Sequence, residues 1–185
     1  MGRPALLIID MVKDFVHGKL PVPGAKDIIP NINKLRKVFK DKGLPVIHVT
    51  DAHIPGVDKE LVLWGDHAVK GGEGAEIVEE LAPDDREYRV CKRRYSGFYA
   101  TDLDLLLREL EVDTIIATGV ATDICVQHTV ADAFFRGYRV IVVSDATATL
   151  NKDYHQHALE YMRRVYGAKI LSTERVVESL ERGEL

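Results

Sequence analysis

The sequence predicts an α/β protein with a three-layer αβα fold, in which a six-stranded, mostly parallel sheet lies between two layers of helices. Two observations support this prediction. Short apolar runs of strand length alternate with amphipathic helical patterns along the 185 residues. Several of these runs are apolar at every position, which is typical of strands that are buried on both faces. We expect a single domain over residues 1–185, because no internal repeat or linker interrupts the pattern.

The first part of the chain contributes two strands and a long helix. Residues 5–9 read Ala-Leu-Leu-Ile-Ile and form the first predicted strand, which ends at Asp10. A helix is predicted over 27–42, because apolar residues recur there at three- and four-residue steps. The second strand covers 45–50 and ends at Asp51. Residues 52–72 are expected to be irregular, and a loop of this length in a compact domain is usually functional or disordered.

The second part of the chain repeats the alternation of helix and strand. A short helix is predicted over 75–81, followed by a strand over 88–91 in which Cys91 is expected to be a buried hydrophobe. The remaining predicted elements are a helix over 102–110, a strand over 114–118, a helix from about Asp123, a strand over 139–144, a helix over 152–165, a strand over 168–171 and a terminal helix.

Composition and charge narrow the classes of function. The chain is 46% hydrophobic and 29% charged, which is typical of a soluble globular protein. Its net charge of −4 gives no electrostatic reason to expect binding to nucleic acid. No stretch approaches the length of a membrane span, and the first residues lead into a strand without the apolar segment of a signal peptide. We therefore expect a cytoplasmic protein that does not bind membranes.

Cys125 is a candidate nucleophile. It follows a turn at Gly119 and falls in the first turn of a predicted helix, where unpaired backbone N–H groups and the helix dipole favour a thiolate. The alternative is that Cys125 is a small buried hydrophobe, which is the commoner role of a free cysteine. The two cysteines of the chain form no C-x-x-C pair, so a redox or zinc site of that type is excluded.

Two groups that could activate a thiol follow other predicted strands. Asp10 ends the first strand and Lys92 follows the third, so both are expected with Cys125 at the edge of the sheet where ligands bind. A base, a cation and a thiol are the set that activates a sulfur nucleophile. Each residue also has a simpler interpretation, since Asp10 could cap a loop and Lys92 could be solvated. Their combination nevertheless predicts a catalytic site.

A metal site is predicted from Asp51, His53 and His67. Residues two apart in extended backbone point to the same face, and His67 lies fourteen residues beyond His53 in the same loop. Two imidazoles and a carboxylate suit Zn²⁺ or Fe²⁺ and leave positions for water or substrate. Polar surface residues are the alternative, because the D-x-H pattern is common. The remaining histidines are expected to pack or to lie on the surface: His17, His48, His128, His155 and His157.

Two aromatic residues lie near these groups in the sequence. Phe15 follows Asp10 by five residues, and Trp64 precedes His67 by three. Core packing is the usual role of an aromatic side chain. A lone tryptophan in a glycine-rich loop could instead form a wall against a flat substrate.

Taken together, these residues resemble the isochorismatase-like cysteine hydrolases, and within them the nicotinamidases. The resemblance covers nearly the whole chain, and its parts occur in the expected order. Its most specific part is the last one. The matching stretches are residues 7–11 (LIIDM), 14–15 (DF), 51–53 (DAH), 64–67 (WGDH), 92–98 (KRRYSGF), 101–103 (TDL) and 119–126 (GVATDICV).

The resemblance implies a six-stranded sheet with a catalytic triad of Asp10, Lys92 and Cys125. It also implies a cis peptide between Val120 and Ala121. The backbone N–H groups of Ala121 and Cys125 would then form an oxyanion hole for the substrate.

The resemblance to nicotinamidases also implies ligands and partners. The metal ligands would be Asp51, His53 and His67, with Zn²⁺ as the first expectation and Fe²⁺ or Mn²⁺ as alternatives. Phe15 and Trp64 would enclose the ring of a small amide substrate. The family further suggests a homo-oligomer, either a dimer or a tetramer.

The implied activity is the hydrolysis of nicotinamide to nicotinate and ammonia, a reaction of NAD salvage. The sequence departs from a common nicotinamidase pattern at Ala52, where many members have an aromatic residue, and at Ile54-Pro55, which replaces His-Pro. Another amide or N-carbamoyl hydrolase of the family is therefore an alternative. An isochorismatase proper uses no cysteine nucleophile, so Cys125 counts against it. A catalytically silent binding module is the alternative from a different class of function.

Overall fold

Six strands form the central sheet in a computed structural model that describes residues 2–185. In chain order the strands are β1 (Pro4–Ile9), β2 (Val46–Asp51), β3 (Tyr88–Lys92), β4 (Thr114–Val120), β5 (Arg139–Ala148) and β6 (Lys169–Leu171). Their order across the sheet is β3-β2-β1-β4-β5-β6, and every neighbouring pair is parallel. The predicted fold class is confirmed.

Helices cover both faces of the sheet. The α-helices of residues 2–185 are α1 (Lys13–Val16), α2 (Ile29–Asp41), α3 (Glu60–Trp64), α4 (Leu103–Glu109), α5 (Gln127–Phe135), α6 (Lys152–Tyr166) and α7 (Thr173–Glu181). Helices α2 and α7 contact each other on one face, whereas α5 contacts α6 on the other. None of these helices combines the length and the apolar character that crossing a membrane requires.

Strand β1 shows how the sheet divides the core. Leu6 and Ile8 belong to an apolar cluster with residues of α2 and α7, whereas Leu7 and Ile9 belong to a second cluster with residues of α4, α5 and α6. Successive side chains of a strand point to opposite faces, and both faces are covered here. This is why β1 is apolar at every position.

From β1 the chain adds β2 and β3 on one side of the sheet, and it then returns to add β4, β5 and β6 on the other side of β1. The point of reversal therefore lies between β1 and β4. In open sheets of this kind a ligand crevice forms outside the carboxyl ends of the strands at the point of reversal. Asp10 follows β1 and Cys125 follows β4, so the topology places both residues beside this crevice.

Three local predictions were wrong. The segment predicted as a helix over 75–81 forms two short 3₁₀ turns, Glu73–Ala75 and Glu79–Leu81, because Ile77 between them pairs with Val12 in an antiparallel bridge. The loop over 52–72 is not irregular throughout, since it contains α3. Cys91 is exposed rather than buried, because β3 is an edge strand and the face that carries Cys91 is open to solvent.

Candidate active site

Asp10 is fixed at the carboxyl end of β1. Its φ of 54° turns the chain out of the strand, and its backbone N–H donates to the carbonyl of Val49 at 2.8 Å. Its Oδ1 accepts the backbone N–H of Asp51, also at 2.8 Å. Burial, reinforced by the charge of Asp51, raises the pKa of Asp10 to about 6, although Lys92 acts in the opposite direction. At neutral pH Asp10 is therefore an ionised carboxylate that can accept a proton.

Lys92 is the last residue of β3 and lies between two carboxylates. Its Nζ is 2.8 Å from Asp10 Oδ2 and 2.6 Å from Asp51 Oδ1, and its side chain is fully buried. Burial alone would lower the pKa of Lys92, but the charges of Asp10 and Asp51 raise it well above its ordinary value. The ammonium group therefore stays charged inside the protein.

Cys125 lies in a π-helical turn, Thr122–Val126, which leads into α5. Its Sγ is 3.4 Å from Lys92 Nζ and lies within 4.8 Å of a carboxylate oxygen of Asp10. Burial raises the pKa of the Cys125 thiol well above its ordinary value, and the charge of Lys92 offsets this only in part. The expectation that the helix start favours a resting thiolate is therefore wrong. The thiol is neutral and needs a neighbouring base to ionise.

The turn before Cys125 runs close to β1. Gly119 has a φ of 101° and pairs with Ile9, where a Cβ atom would overlap the carbonyl of Ile9. The peptide bond between Val120 and Ala121 is cis. The carbonyl of Ala121 then accepts two backbone N–H groups of the π-helical turn, at 3.0 and 3.1 Å. These contacts fix the backbone on which Cys125 is carried.

Asp51, His53 and His67 offer buried ligand atoms that lie within 4.8 Å of one another. Among the described residues, Nε2 of His53 is buried without a hydrogen-bond partner. The Nδ1 atoms are engaged elsewhere, at 3.2 Å from a carboxylate oxygen of Asp58 for His53 and at 2.8 Å from the carbonyl of Gly65 for His67. Such bonds orient a ligating histidine and leave Nε2 for the ion. These three residues therefore fit a divalent metal ion.

Two acidic residues that sequence reasoning missed lie at this site. Asp58 accepts hydrogen bonds from the guanidinium of Arg93 and from the backbone N–H of Ile54. The hydrogen bonds from Arg93 lower the pKa of Asp58. Glu60 has a carboxylate oxygen 3.9 Å from Nε2 of His53, and burial raises its pKa. The only signal in the sequence is the presence of acids shortly after the D-x-H pattern, and a solvated loop would produce the same signal.

A cleft opens beside Cys125. Within residues 2–185, its acidic lining residues are Asp10, Asp51 and Glu60, and no lysine or arginine lines it. Asp10 and Asp51 are paired with Lys92, so the cleft suits an uncharged ligand. Its apolar walls are formed by Phe15, Leu20, Val22, Trp64, Ile124 and Leu150.

Aromatic side chains frame the cleft on the side of the candidate metal site. Phe15 is buried and packs against the ring of His67, with ring centroids 5.4 Å apart. Trp64 is 37% exposed at the end of α3 and donates its Nε1–H to the hydroxyl of Tyr95 at 3.0 Å. Tyr95 also lines the cleft, although the sequence did not single it out as a site residue.

Asp51 lies between the candidate catalytic triad and the two candidate metal-binding histidines. Its Oδ1 contacts Lys92 Nζ, and its Oδ2 lies 3.4 Å from Nε2 of His53. The structure thus brings the predicted triad, the predicted metal ligands and both predicted aromatic residues into one region. Two other histidines have different partners: His48 is paired with Glu87 at 2.8 Å, and His155 contacts the hydroxyl of Thr122 at 2.9 Å.

Comparison with known proteins agrees with this geometry. Residues 4–175 match the family described as Isochorismatase domain. The chain is 42% identical to N-carbamoylsarcosine amidase from Thermoplasma acidophilum, with a TM-score of 0.86 over 92% of this chain and 96% of that one. It is 31% identical to nicotinamidase/pyrazinamidase PncA from Bacillus subtilis, with a TM-score of 0.86 over 92% and 100% of the two chains. It is 33% identical to a pyrazinamidase of Pyrococcus horikoshii in complex with zinc, with a TM-score of 0.85 over 92% and 99%.

Proposed function

Because the chain belongs to the isochorismatase family, we propose that it is a cysteine amidohydrolase that converts nicotinamide to nicotinate and ammonia through a thioester. One observation carries the proposal. Buried Lys92 lies 2.8 Å from Asp10 and 3.4 Å from Cys125, beside an apolar cleft. The apolar walls and the absence of a cation from the lining among residues 2–185 suit a flat, uncharged ring.

In the first step, Asp10 accepts the proton of the Cys125 thiol and Lys92 stabilises the thiolate. A general base is most effective when its pKa lies near the working pH, and burial raises the pKa of Asp10 to about 6. The sulfur attacks the amide carbonyl. The N–H groups of Ala121 and Cys125 bind the oxyanion that forms, because both lie on the turn next to the nucleophile.

The second part of the reaction returns the proton. Asp10 protonates the amide nitrogen as the C–N bond breaks, which releases ammonia and leaves an acyl group on Cys125 as a thioester. Asp10 then accepts a proton from water, whose oxygen attacks the thioester carbonyl. Cleavage of the C–S bond releases the carboxylic acid, and the thiol of Cys125 regains its proton.

Asp51, His53 and His67 would hold a divalent metal ion, with Zn²⁺ as the first choice and Fe²⁺ or Mn²⁺ as alternatives. When bound, such an ion supplies a Lewis acid that can bind a pyridine nitrogen or a water molecule. Nε2 of His53 is buried without a hydrogen bond, 3.4 Å from Oδ2 of Asp51, and this atom supports the assignment together with the similarity to a zinc-bound pyrazinamidase. Phe15 and Trp64 would hold the substrate ring beside the site.

Hydrolysis of an N-carbamoyl compound is the second candidate function. It is favoured by the 42% identity to an N-carbamoylsarcosine amidase. An N-carbamoyl amino acid carries a carboxylate, however, and a carboxylate needs a cationic partner in a desolvated site. Within residues 2–185 no lysine or arginine lines the cleft, and the ammonium group of nearby Lys92 is already paired with Asp10 and Asp51. We therefore place nicotinamide before N-carbamoyl amino acids.

Ammonia release from a panel of amides tests the proposal. The panel contains nicotinamide, pyrazinamide, N-carbamoylsarcosine and biuret. We expect the highest kcat/KM with nicotinamide, and a decrease of at least about a thousandfold in Cys125→Ala because the nucleophile is lost. Cys91→Ala is the matched control and should retain activity, since Cys91 is exposed on the edge strand.

Two results would contradict the proposal. Turnover of N-carbamoylsarcosine without turnover of nicotinamide would establish the second candidate in place of the first. Full activity of a folded Cys125→Ala variant would exclude the thioester mechanism for every substrate in the panel.

A further inference from the structure

Asp14 is a buried carboxylate that the proposed reaction does not use. It lies in α1 and is only 5% exposed. Its Oδ2 accepts the backbone N–H of Ala68 at 2.8 Å, and its Oδ1 accepts that of Lys19 at 3.1 Å. A buried carboxylate is costly unless donors satisfy it, so these two bonds define where both partner segments can lie.

The bond to Ala68 fixes the loop that carries His67. The donated N–H belongs to the peptide that joins His67 to Ala68, and Ala68 has a φ of 41°, in the left-handed region. The carbonyl of Ala68 accepts the backbone N–H of His53 at 2.9 Å. Through Ala68, the carboxylate of Asp14 therefore holds the backbone of both candidate metal-binding histidines.

Asp14 also fixes one wall of the cleft. Its neighbour Phe15 packs against the ring of His67 at 5.4 Å between centroids. The chain then folds back on this pair, because the N–H of Leu20 donates to the carbonyl of Asp14 at 3.0 Å and that of Val22 to the carbonyl of Phe15 at 2.8 Å. Leu20 and Val22 both line the cleft.

Two glycines leave room for the carboxylate. A Cβ atom at Gly18 or at Gly74 would overlap the side chain of Asp14. The backbone therefore approaches Asp14 from two sides so closely that a residue with a Cβ atom would not fit at either position. This close fit shows that the segment is built around the carboxylate.

We propose that Asp14 is a positioning residue that sets the position of His53 and His67 relative to the wall formed by Phe15, Leu20 and Val22. The proposal rests on the proposed function, since a metal at the two histidines and a ring against the wall give this geometry its use. Loss of Asp14 would weaken the binding of metal and substrate together. It would leave the chemistry at Cys125 intact.

The test compares Asp14→Asn with Asp145→Asn. Asparagine keeps the shape of aspartate but replaces one acceptor oxygen with an NH₂ group. This donor would face a backbone N–H, which is also a donor, so one of the two hydrogen bonds is lost. Asp145 is a matched control, because its Oδ1 accepts the backbone N–H of Thr173 at 2.7 Å at the start of α7, away from the cleft. Zn²⁺ affinity is measured by competition with a chromophoric chelator.

We expect Asp14→Asn to bind Zn²⁺ about 10- to 100-fold more weakly than the wild type, and Asp145→Asn to bind it unchanged. The KM for nicotinamide should rise in Asp14→Asn at saturating Zn²⁺, whereas kcat should stay within about twofold of the wild type. Equal Zn²⁺ affinities in the two variants would overturn the proposal.

Amide hydrogen exchange of the metal-free proteins provides a readout that needs neither metal nor substrate. We expect faster exchange in Asp14→Asn at residues 53 and 68, and in Asp145→Asn only around the start of α7. Uniformly faster exchange in Asp14→Asn would indicate general destabilisation and would overturn the proposal. If the wild type itself binds no Zn²⁺, the proposed metal site is wrong, and the exchange comparison still decides whether Asp14 holds this loop.

Discussion

Asp10, Lys92 and Cys125 change one another's protonation because they are buried together. Burial raises the pKa of both Asp10 and Cys125, and the two neighbouring carboxylates raise that of Lys92. The resting site therefore contains a neutral thiol, an ammonium group and a carboxylate that is easier to protonate than an ordinary aspartate. This is the state from which transfer of the thiol proton to Asp10 can begin.

The pH dependence of activity should report the protonation of Asp10. Below about pH 6 the carboxylate is protonated and cannot act as the base, so kcat/KM should fall about tenfold for each further pH unit. Infrared difference spectra of the metal-free protein should show a carboxylic acid band that disappears with a midpoint near pH 6. The component with this midpoint should be absent in Asp10→Asn, whereas a band of Glu60, whose pKa burial also raises, should remain. A midpoint in the ordinary range of aspartate, or retention of the component near pH 6 in Asp10→Asn, would contradict this assignment.

The same pKa has a consequence for stability. The folded protein holds the proton of Asp10 up to a higher pH than the unfolded chain does, because the folded pKa is raised. Stability from this group is therefore highest at low pH and declines as the pH rises through the unfolded pKa towards about 6. The ionised base that the reaction requires thus lowers the stability of the fold at neutral pH.

At the scale of elements, the approach of β4 to β1 determines where the nucleophile lies. Gly119 pairs with Ile9 in β1 and with Thr147 in β5, and the register between β4 and β5 shifts beside it. The strand ends one residue beyond Gly119, and the π-helical turn that carries Cys125 begins three residues beyond it. A side chain at Gly119 would therefore push this turn away from Asp10.

We expect Gly119→Ala to destabilise the protein more than Gly137→Ala does. Both glycines have positive φ, at 101° and 83°, so alanine is strained at either position. At Gly137 nothing lies within 4 Å of the added Cβ, and the loss should be about 1 kcal/mol. At Gly119 the Cβ overlaps the carbonyl of Ile9, which should raise the loss to about 3 kcal/mol or more. Urea denaturation measures both values, and equal losses would show that the contact with Ile9 is unimportant.

Individual elements show why part of the site could be predicted from sequence. Asp10, Asp51 and Lys92 end or directly follow segments that were predicted as strands, and parallel strands bring such ends to one edge. Their proximity therefore follows from local patterns and one rule of topology. The strand around Cys91 shows the limit of this reasoning, because its position at the edge of the sheet depends on long-range pairing.

Other parts of the site could not be predicted, for a related reason. Asp58 precedes α3 and Glu60 begins it, and contacts with Arg93 and His53 determine where both acids lie. Arg93 is distant in sequence, and the contacts with His53 depend on tertiary packing. The neutral thiol of Cys125 is a further case. Its location at a helix start was predicted, but its pKa depends on burial, which a local pattern does not reveal.

At the scale of the whole molecule, the strand order brings the candidate catalytic triad and the candidate metal ligands to the same edge of the sheet. The half of the sheet formed by β1, β2 and β3 supplies Asp10, Asp51 and Lys92, and the half that begins with β4 supplies Cys125. Asp51 belongs to both groups, since it contacts Lys92 and lies beside His53. A metal ion held by Asp51, His53 and His67 would therefore connect β2 to the long loop that follows it.

This connection predicts that metal binding stabilises the folded chain. A ligand that binds only the folded state at 100 times its Kd adds about 2.7 kcal/mol to the free energy of unfolding. For a chain of 185 residues, that corresponds to a rise in Tm of about 5–10 °C. The unfolded chain cannot hold the three ligand atoms within 4.8 Å of one another, so the effect should depend on the folded site. Calorimetry with and without Zn²⁺ measures it, and chelation should reverse it.

Two histidine variants decide whether the stabilisation comes from this site. His67→Ala removes one of the three candidate ligands and should abolish the rise in Tm on addition of Zn²⁺. His157→Ala removes an exposed histidine of α6 and should preserve the rise in full. An equal response of the two variants would mean that the ion binds elsewhere, because a specific site loses its affinity when a ligand is removed whereas scattered surface binding does not.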